Sequence, residues 1–421
     1  MPPAVTLAAE ADAVAARRAV PAGQSASPFI VVQGSSRSWS GGRDYCVSAV
    51  DGTPIIAHTL KKLRQYFPKS RIVIAAPEFD RGGFFDGVVA AAQDEKLGIV
   101  YAHDSSPLRR IVAAASGLRD DDLLLKVDAL HFVFDAALAQ EMLRQARNDR
   151  LDCVKPADDF PAQLGCEVYR YGALKALAAR ITAAERNFEI HPKFYFFKDK
   201  SFKAAHALAT PHYSDDFLRQ CRTQYAGVYA ERWDVTKLAV PVGDQISFHY
   251  RHATQFLGPH MTVLDIACGN GFGAKLVAPH VKRVIAADLS AEVIATAAEL
   301  NPGDNISYVV DDITALRAAD REFDAVLTFE TFEHVDTSRM LGELKRVLKP
   351  GGLMIMSTPQ NALGQVPICA EHLREYSLEE LLAAVQPYFE IVRVDGIKAG
   401  TITIEGDPRG ANTFLVARKP G

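Results

Sequence analysis

The chain has 421 residues, of which 48% are hydrophobic, and a net charge of −4 at neutral pH. This length exceeds what one hydrophobic core usually serves, so we expect two domains. The slightly negative charge argues against a general nucleic-acid surface, and no stretch is apolar for long enough to predict a membrane span. Six cysteines without C-x-x-C spacing predict reduced thiols in a cytoplasmic protein.

Residues 1–28 are rich in Ala and Pro, lack the apolar core of a signal peptide and predict a flexible tail. Strands then alternate with helices, which predicts an α/β domain with a mainly parallel sheet. The predicted strands are 29–33, 71–75, 98–101 and 122–128, and the predicted helices are 55–66, 108–117 and 136–147. A polar, glycine-rich loop with Ser35, Arg37 and Arg43 follows the first strand and suits phosphate binding by backbone N–H groups and arginine.

Residues 29–200 resemble a cytidylyltransferase of the spore-coat polysaccharide type, with a GT-A-like, Rossmann-type nucleotidyltransferase fold. The resemblance is carried by the segments GSSR, DGTPIIAHTLKKL, SPLRRIVAAA, LLKVDA and PAQLGCEV. It implies a site for CTP or a nucleotide-sugar at the loop, with Mg²⁺ held by Asp128. The alternative for Asp128 is a strand-end acid satisfied by backbone N–H groups.

The front half departs from the cytidylyltransferase pattern at the loop, where Ser-Gly-Gly-Arg replaces a segment that usually contains Pro-Gly-Lys. Ala-Leu-His also follows Asp128 in place of Cys-Pro-Leu. Arginine presents a planar fork and not the compact charge of lysine. We therefore expect weak nucleotide binding with slow or no turnover. Residues 201–230 have mixed polarity without periodicity and are predicted to be a linker.

A second α/β domain is predicted over residues 231–421, organised around the run VLDIACGNGFG at 263–273. The run indicates a buried strand that ends in an acid and a glycine-rich turn. Gly269, Gly271 and Ala274 also satisfy the dinucleotide fingerprint G-x-G-x-x-G/A. A dinucleotide would bring a pyrophosphate close to Asp265, whereas S-adenosylmethionine (SAM) brings a cationic amino group and a sulfonium. Asp265 therefore favours SAM.

Further predicted strands end in acids, in the order that a nucleoside site requires. Asp288 lies about 20 residues beyond the first glycine, the usual position for binding ribose hydroxyls. Asp312 follows the next strand and can accept from an adenine amino group. Glu330 ends a fourth strand, and a turn and a fifth strand follow over residues 348–357.

Residues from about 232 to 418 resemble a class I SAM-dependent methyltransferase, close to the group that methylates small molecules and sugars. The matching segments are DIACGNGFG, AADLS, DDI, FDAVLTFETFEHV, LKRVLKPGG and EHLREYSLEEL. The resemblance implies SAM as the cofactor and a sugar or glycan precursor as the acceptor. The implied cofactor contacts are Asp265, Ala267, Gly269, Gly271, Asp288, Leu289, Asp312, Ile313 and Phe329.

Three residues are candidates for the chemistry of methyl transfer, namely Glu330, His334 and His372. Histidine can accept a proton near neutral pH, as a general base must. The alternative for His372 is a helix-entry residue ahead of an N-cap at Ser377. For the whole chain, three functions stay open: a methyltransferase with a nucleotide-sugar-binding front domain, a bifunctional cytidylyltransferase and methyltransferase, and a methyltransferase whose front domain forms a homodimer.

Overall fold

The computed structural model describes residues 27–37, 44–182, 185–208, 211–226, 244–363, 367, 369 and 371–421. The chain divides into two compact units, Met1–Tyr229 and Ala230–Gly421. Each contains a seven-stranded sheet in which most neighbouring strands are parallel. The prediction of two α/β sheets is confirmed at this level. Arg43 and residues 1–26 of the predicted tail lie outside the described residues.

The first unit begins with a buried apolar strand, as predicted. Its strands are β1 Phe29–Gln33, β2 Ala49–Val50, β3 Thr53–Pro54, β4 Ile72–Ala76, β5 Leu97–Tyr101, β6 Leu123–Asp128, β7 Cys153–Lys155, β8 Glu167–Arg170 and β9 Ala204–His206. Its helices are α1 Ile55–Tyr66, α2 Phe84–Ala92, α3 Pro107–Ala114, α4 Ala136–Asn148, α5 Tyr171–Arg180, α6 Arg186–Ile190, α7 Pro192–Lys198 and α8 Asp215–Ala226. Asp135 caps α4, because its side chain accepts the backbone N–H of Leu138.

The large sheet of the first unit has the order β5-β4-β1-β6-β8-β7-β9. Strands β5, β4, β1 and β6 are mutually parallel, and β8 is antiparallel to both of its neighbours. The chain moves from β1 to β4 and β5 on one side and then returns to place β6 on the other side. The order therefore reverses between β1 and β6, which is where open α/β sheets bind ligands.

Much of the predicted linker is part of the first unit. β9 pairs in parallel with β7 at the edge of the large sheet. Helix α8 buries Phe217, Leu218 and Cys221. Both elements therefore belong to a folded unit and do not connect two units loosely.

The second unit completes its sheet with two strands that the sequence analysis did not predict. Its strands are β10 Thr262–Ile266, β11 Arg283–Asp288, β12 Ile306–Val310, β13 Phe323–Phe329, β14 Leu348–Pro359, β15 Glu390–Ile397 and β16 Asn412–Arg418. Its helices are α9 Asp244–Ala253, α10 Phe272–Val277, α11 Ala291–Leu300, α12 Thr337–Val347 and α13 Leu378–Val385. The order is β12-β11-β10-β13-β14-β16-β15, and β16 is antiparallel to both neighbours.

Both faces of the second sheet are buried, which explains the continuous apolar runs of its central strands. Val263 packs into one hydrophobic cluster and the next residue, Leu264, into the other. The pairs Ala325 and Val326 divide in the same way. Across the described parts of both units, no helix combines the length and apolar character needed to cross a membrane. All six cysteines are free thiols, as predicted.

Candidate active site

The candidate site of the second unit lies at the carboxyl ends of β10 and β13, where the strand order reverses. The chain runs from β10 to β11 and β12 on one side and then places β13 on the other side of β10. The predicted cofactor residues lie in or just after the last residues of four adjacent strands, at this edge of the sheet. They are Asp265, Ala267, Gly269 and Gly271 at β10, Asp288 and Leu289 at β11, Asp312 and Ile313 beyond β12, and Phe329 at β13.

The backbone is strained where the two central strands end. Ala267 and Glu330 both have positive φ, 63° and 51°, although neither is glycine. Glu330 is held in this conformation by a hydrogen bond from its backbone N–H to the carbonyl of Ser357, at 3.0 Å. Strained non-glycine residues persist only where their surroundings enforce them, and they concentrate at functional sites.

The glycine-rich turn after β10 lies directly against two tyrosine rings. A Cβ atom on Gly271, whose φ is 78°, would be 2.5 Å from Tyr308 Oη. A Cβ atom on Gly273 would be 2.0 Å from Tyr250 Cζ. Tyr250, on α9, donates a hydrogen bond to Asp265 Oδ1 at 3.0 Å. This hydrogen bond ties α9 to the end of β10.

Asp265 is fully buried, with one carboxylate oxygen satisfied and one not. Its Oδ2 atom has no hydrogen-bond partner among the described residues. Burial, and to a smaller degree the charge of Asp288, raises the pKa of Asp265 to about 7. A nearby cation would relieve this penalty.

Asp288 accepts two backbone N–H groups, from Gly269 to Oδ2 and from Ser290 to Oδ1, both at 3.1 Å. It therefore joins the glycine turn to the start of α11. The adjacent Leu289 leaves 70% of its surface exposed.

Asp312 and Phe329 flank the same edge. Asp312 Oδ1 accepts the backbone N–H and the hydroxyl of Thr314, at 2.8 and 2.7 Å, which lowers the pKa of Asp312. Ile313 is buried, and the half-buried ring of Phe329 has its centroid 4.7 Å from that of Tyr250. The structure therefore places the predicted cofactor residues along one edge and adds Tyr250 to them.

Glu330 belongs to a hydrogen-bonded network at the end of β13. Its Oε1 accepts from Ser357 Oγ at 2.7 Å, and its Oε2 accepts from Asn412 Nδ2 at 2.6 Å. His249 Nδ1 is 2.8 Å from the same serine hydroxyl. Burial lowers the pKa of His249 to about 4, so its ring is neutral near pH 7.

Glu333, which follows β13, is buried at the site. Thr358 Oγ1 donates to its Oε2 at 2.9 Å, and Asp336 caps α12 instead. Burial, followed by the charge of Glu330, raises the pKa of Glu333 well above its ordinary value. Glu333 meets Thr358 because β13 and β14, which are separated in the chain, pair in the sheet.

His372 is buried and oriented by a carboxylate. Its Nδ1 lies 2.7 Å from Glu375 Oε1, and the other oxygen of Glu375 accepts from Asn361 Nδ2 at 2.8 Å. The hydrogen bond to Glu375 favours a proton on Nδ1, which leaves Nε2 as the basic nitrogen.

The segment that carries His372 is fixed by backbone hydrogen bonds on both sides. Leu373 N–H donates to the carbonyl of Glu333 at 2.9 Å, and Asn361 N–H donates to that of Tyr376 at the same distance. Ser377 is the N-cap of α13 with a capping box to Glu380, as the alternative reading expected. His372 itself lies before this helix and pairs with Glu375.

His334 and His372 are neighbours, with ring centroids 5.0 Å apart in an edge-to-face arrangement. One ligand atom from each of Glu333, His334 and His372 lies within 4.8 Å of the others, a spacing that a metal ion could bridge. Glu330, the third candidate catalytic residue, lies close enough for its charge to raise the pKa of Glu333.

Comparison with known proteins identifies the second unit. A family model described as a methyltransferase domain matches residues 264–356. A ubiquinone biosynthesis O-methyltransferase of a Chelativorans species is 33% identical over 177 residues, which cover 38% of this chain and 68% of that protein. The chain belongs to the SAM-dependent methyltransferases. A SAM-dependent methyltransferase of Mycolicibacterium smegmatis is 30% identical over 162 residues, and the chain spans only 62% of that relative's length.

A solved structure is also similar to this SAM-dependent methyltransferase. It is an N-methyltransferase of Bradyrhizobium japonicum in complex with S-adenosyl-L-homocysteine (SAH), 16% identical, with a TM-score of 0.36 over 48% of this chain and 99% of that one.

The residues at the edge of the second sheet fit SAM. The unpartnered Oδ2 of buried Asp265 suits a cationic ligand. The glycine turn is tightly packed, since the rings of Tyr308 and Tyr250 fill the space for a side chain at Gly271 and Gly273. Leu289 offers an uncovered apolar surface beside Asp288, where a nucleoside base could be covered.

We expect SAM to bind about tenfold more tightly at pH 8 than at pH 6. The pKa of Asp265 is about 7 without the cofactor, so at pH 6 most carboxyls are protonated and must lose a proton before they attract the cation. At pH 8 the carboxylate is already ionised. Calorimetry at both pH values, in two buffers of different ionisation enthalpy, measures the affinity and the released proton. Asp265→Asn should remove this dependence, and an unchanged slope in that variant would contradict the assignment.

The front unit also places its predicted residues at the point where its strand order reverses. Gln33 pairs with Asp128, and the N–H of Ala129 donates to the carbonyl of Gln33 at 2.8 Å, so Asp128 lies beside the start of the loop. Ser35 Oγ donates to the carbonyl of Arg37 within the loop. The guanidinium of exposed Arg37 lies 4.7 Å from the ring centroid of Phe79.

Asp128 is part of a cluster of charged side chains. Lys126 Nζ lies 2.8 Å from Asp128 Oδ2 and 3.3 Å from Glu167 Oε2, and Lys193 Nζ lies 2.7 Å from Glu167 Oε1. Burial alone would lower the pKa of Lys126, but the charges of the two carboxylates raise this pKa above its ordinary value. The side chain of Lys126 is therefore an ammonium. Glu167 is buried.

Proposed function

We propose that the second unit transfers a methyl group from SAM to a hydroxyl oxygen of a small acceptor, with a sugar, nucleotide-sugar or glycan precursor as the first candidate. The observation that carries this proposal is the buried chain from Asn361 through Glu375 to His372. Such a chain orients a histidine as a general base, and a hydroxyl acceptor must lose a proton during methyl transfer.

In this reaction the acceptor oxygen forms a bond to the methyl carbon while the bond from carbon to sulfur breaks. SAM supplies an activated methyl group whose leaving group, SAH, is a neutral thioether. His372 Nε2 takes the hydroxyl proton, and Glu375 stabilises the resulting imidazolium through Nδ1. Because the leaving group is already good, much of the rate depends on positioning. The hydrogen bonds that fix the segment around Leu373 supply that positioning.

A polyhydroxylated acceptor is supported by the polar side chains at the end of β13. Glu330, Ser357 and Asn412 are already joined by hydrogen bonds, and His249 extends this group. A second candidate is a phenolic hydroxyl, because the Chelativorans relative is named for ubiquinone biosynthesis.

The acceptor class can be tested with the full chain, SAM and a panel of compounds. The panel contains sugar phosphates, CMP-, UDP- and GDP-sugars, and short-chain dihydroxybenzenes, and SAH formation is measured by chromatography. SAH formed with the sugar compounds supports the first candidate, and SAH formed only with the dihydroxybenzenes supports the second. Methylation confined to amines would contradict O-methylation, and a SAM-only incubation corrects for hydrolysis.

For the front unit, we propose binding of a nucleotide or nucleotide-sugar, which would present or select the acceptor. The proposal is supported by the strand reversal between β1 and β6 and by the loop of Ser35 and Arg37 beside Asp128. Pyrophosphate release from CTP and Mg²⁺ in the presence of sugar acids and sugar phosphates is expected to be slow or undetectable. Robust turnover that disappears in Asp128→Ala would establish the bifunctional enzyme instead.

A further inference from the structure

The resemblance of the front unit to cytidylyltransferases implies a Mg²⁺ ion on Asp128, and the residues around Asp128 can be compared with what such an ion needs. Mg²⁺ requires oxygen ligands at about 2.0–2.1 Å in near-octahedral geometry. The Oδ2 atom of Asp128 already accepts the ammonium of Lys126 at 2.8 Å. Lys126 lies two residues earlier on the same strand, so both side chains are on the same face of β6.

The second acid of this cluster, Glu167, is also paired with protein side chains. Glu167 Oε1 is paired with Lys193 at 2.7 Å. Glu167 Oε2 accepts from Tyr169 Oη at 2.9 Å and lies 3.3 Å from Lys126. Two ammonium groups thus balance two carboxylates before any ligand arrives. A divalent ion on Asp128 would lie within a few ångströms of the Lys126 ammonium in a largely buried setting, where like charges repel strongly.

We propose that the ammonium of Lys126 takes the place of the divalent cation in the front unit, so that this unit binds its ligand without a metal. The nature of the ligand in this inference rests on the proposed nucleotide or nucleotide-sugar site. The replacement of the divalent cation by Lys126 does not depend on that site. Lysine is a compact point charge and can meet a phosphate where a metal otherwise would. The same replacement removes the metal that would stabilise charge during nucleotidyl transfer, so the front unit is a binding domain.

The experiment uses the full chain and Mn²⁺ as the probe, with free Mn²⁺ measured by electron paramagnetic resonance. Wild type and Asp128→Asn are expected to bind the same amount of Mn²⁺. Lys126→Met leaves two carboxylates without the ammonium of Lys126, and this variant is expected to bind one more Mn²⁺ per chain than wild type. The double variant Lys126→Met/Asp128→Asn is expected to lose this additional Mn²⁺. Mn²⁺ bound by Glu333, His334 and His372 is common to all variants and cancels in the comparison.

Two results would overturn the inference. One is a Mn²⁺ ion in wild type that Asp128→Asn removes, and the other is a folded Lys126→Met variant that gains no Mn²⁺. If Lys126→Met does not fold, the comparison of wild type with Asp128→Asn still decides, because the asparagine is isosteric. CTP binding is measured with Mg²⁺ and with EDTA and is expected to be equal. If CTP does not bind either with Mg²⁺ or with EDTA, the proposed nucleotide is rejected. The Mn²⁺ measurement then still tests the replacement of the metal by Lys126.

Discussion

His372→Ala is expected to lower kcat for methyl transfer by about 10²–10⁴-fold while leaving SAM affinity unchanged. The variant removes the nitrogen proposed to accept the hydroxyl proton, and His372 lies in the segment before α13, whereas the proposed cofactor contacts lie at the ends of β10 to β13. Single-turnover SAH formation with the acceptor found in the panel measures the rate, and calorimetry with SAH measures cofactor binding.

His260→Ala is a matched control for this prediction, because His260 is an exposed histidine of the same unit. Glu375→Gln is a second comparison. It keeps the shape of the side chain at Glu375 but no longer stabilises an imidazolium, so kcat should fall by less than in His372→Ala. A kcat of His372→Ala that equals that of His260→Ala would remove His372 from the chemistry.

Asp288→Ala is expected to weaken SAM binding by about 1.5–3 kcal/mol or more, which is roughly 10–150-fold in Kd. Two losses act in the same direction. The variant loses the charged acceptor proposed for the ribose hydroxyls, and it releases the N–H groups of Gly269 and Ser290 that shape the turn. Calorimetry with SAH measures the affinity, and circular dichroism confirms that the variant is folded.

Asp304→Ala serves as the control for Asp288, because Asp304 is an exposed acid of the same unit. Asp288→Asn retains one oxygen acceptor and should give an intermediate loss. If folded Asp288→Ala binds SAH as tightly as Asp304→Ala does, the ribose assignment is wrong.

The sequence predicts the central strands of both units well because they are buried on both faces. A run such as Val263–Ile266 must be apolar at every position except where a functional acid interrupts it. β15 was missed because its polar and apolar residues do not alternate regularly, and its pairing with β16 shifts register between Ile391 and Arg393. β9 has only three residues, and its pairing with β7 makes it a strand.

In the candidate site, too, features that are local in the sequence were predicted and contacts between distant elements were not. Asp265, Gly269 and Asp288 were predicted because their spacing along the chain is local and characteristic. The contact of Tyr250 with Asp265 and that of His249 with Ser357 were not predicted, because both join α9 to distant strands. Glu375 offered a signal that was not used, since it lies three residues after His372 and precedes the capping box.

The position of β16 has a consequence for biosynthesis. Although β16 is the last strand in the chain, it lies between β14 and β15 and contributes Asn412 to the partners of Glu330. During translation, β15 therefore has no neighbour to pair with until residues up to 418 have left the ribosomal exit tunnel. The described strands of the first unit end at residue 206. We therefore expect the nascent chain to form its first unit earlier than the methyl-transfer site proposed for the second unit.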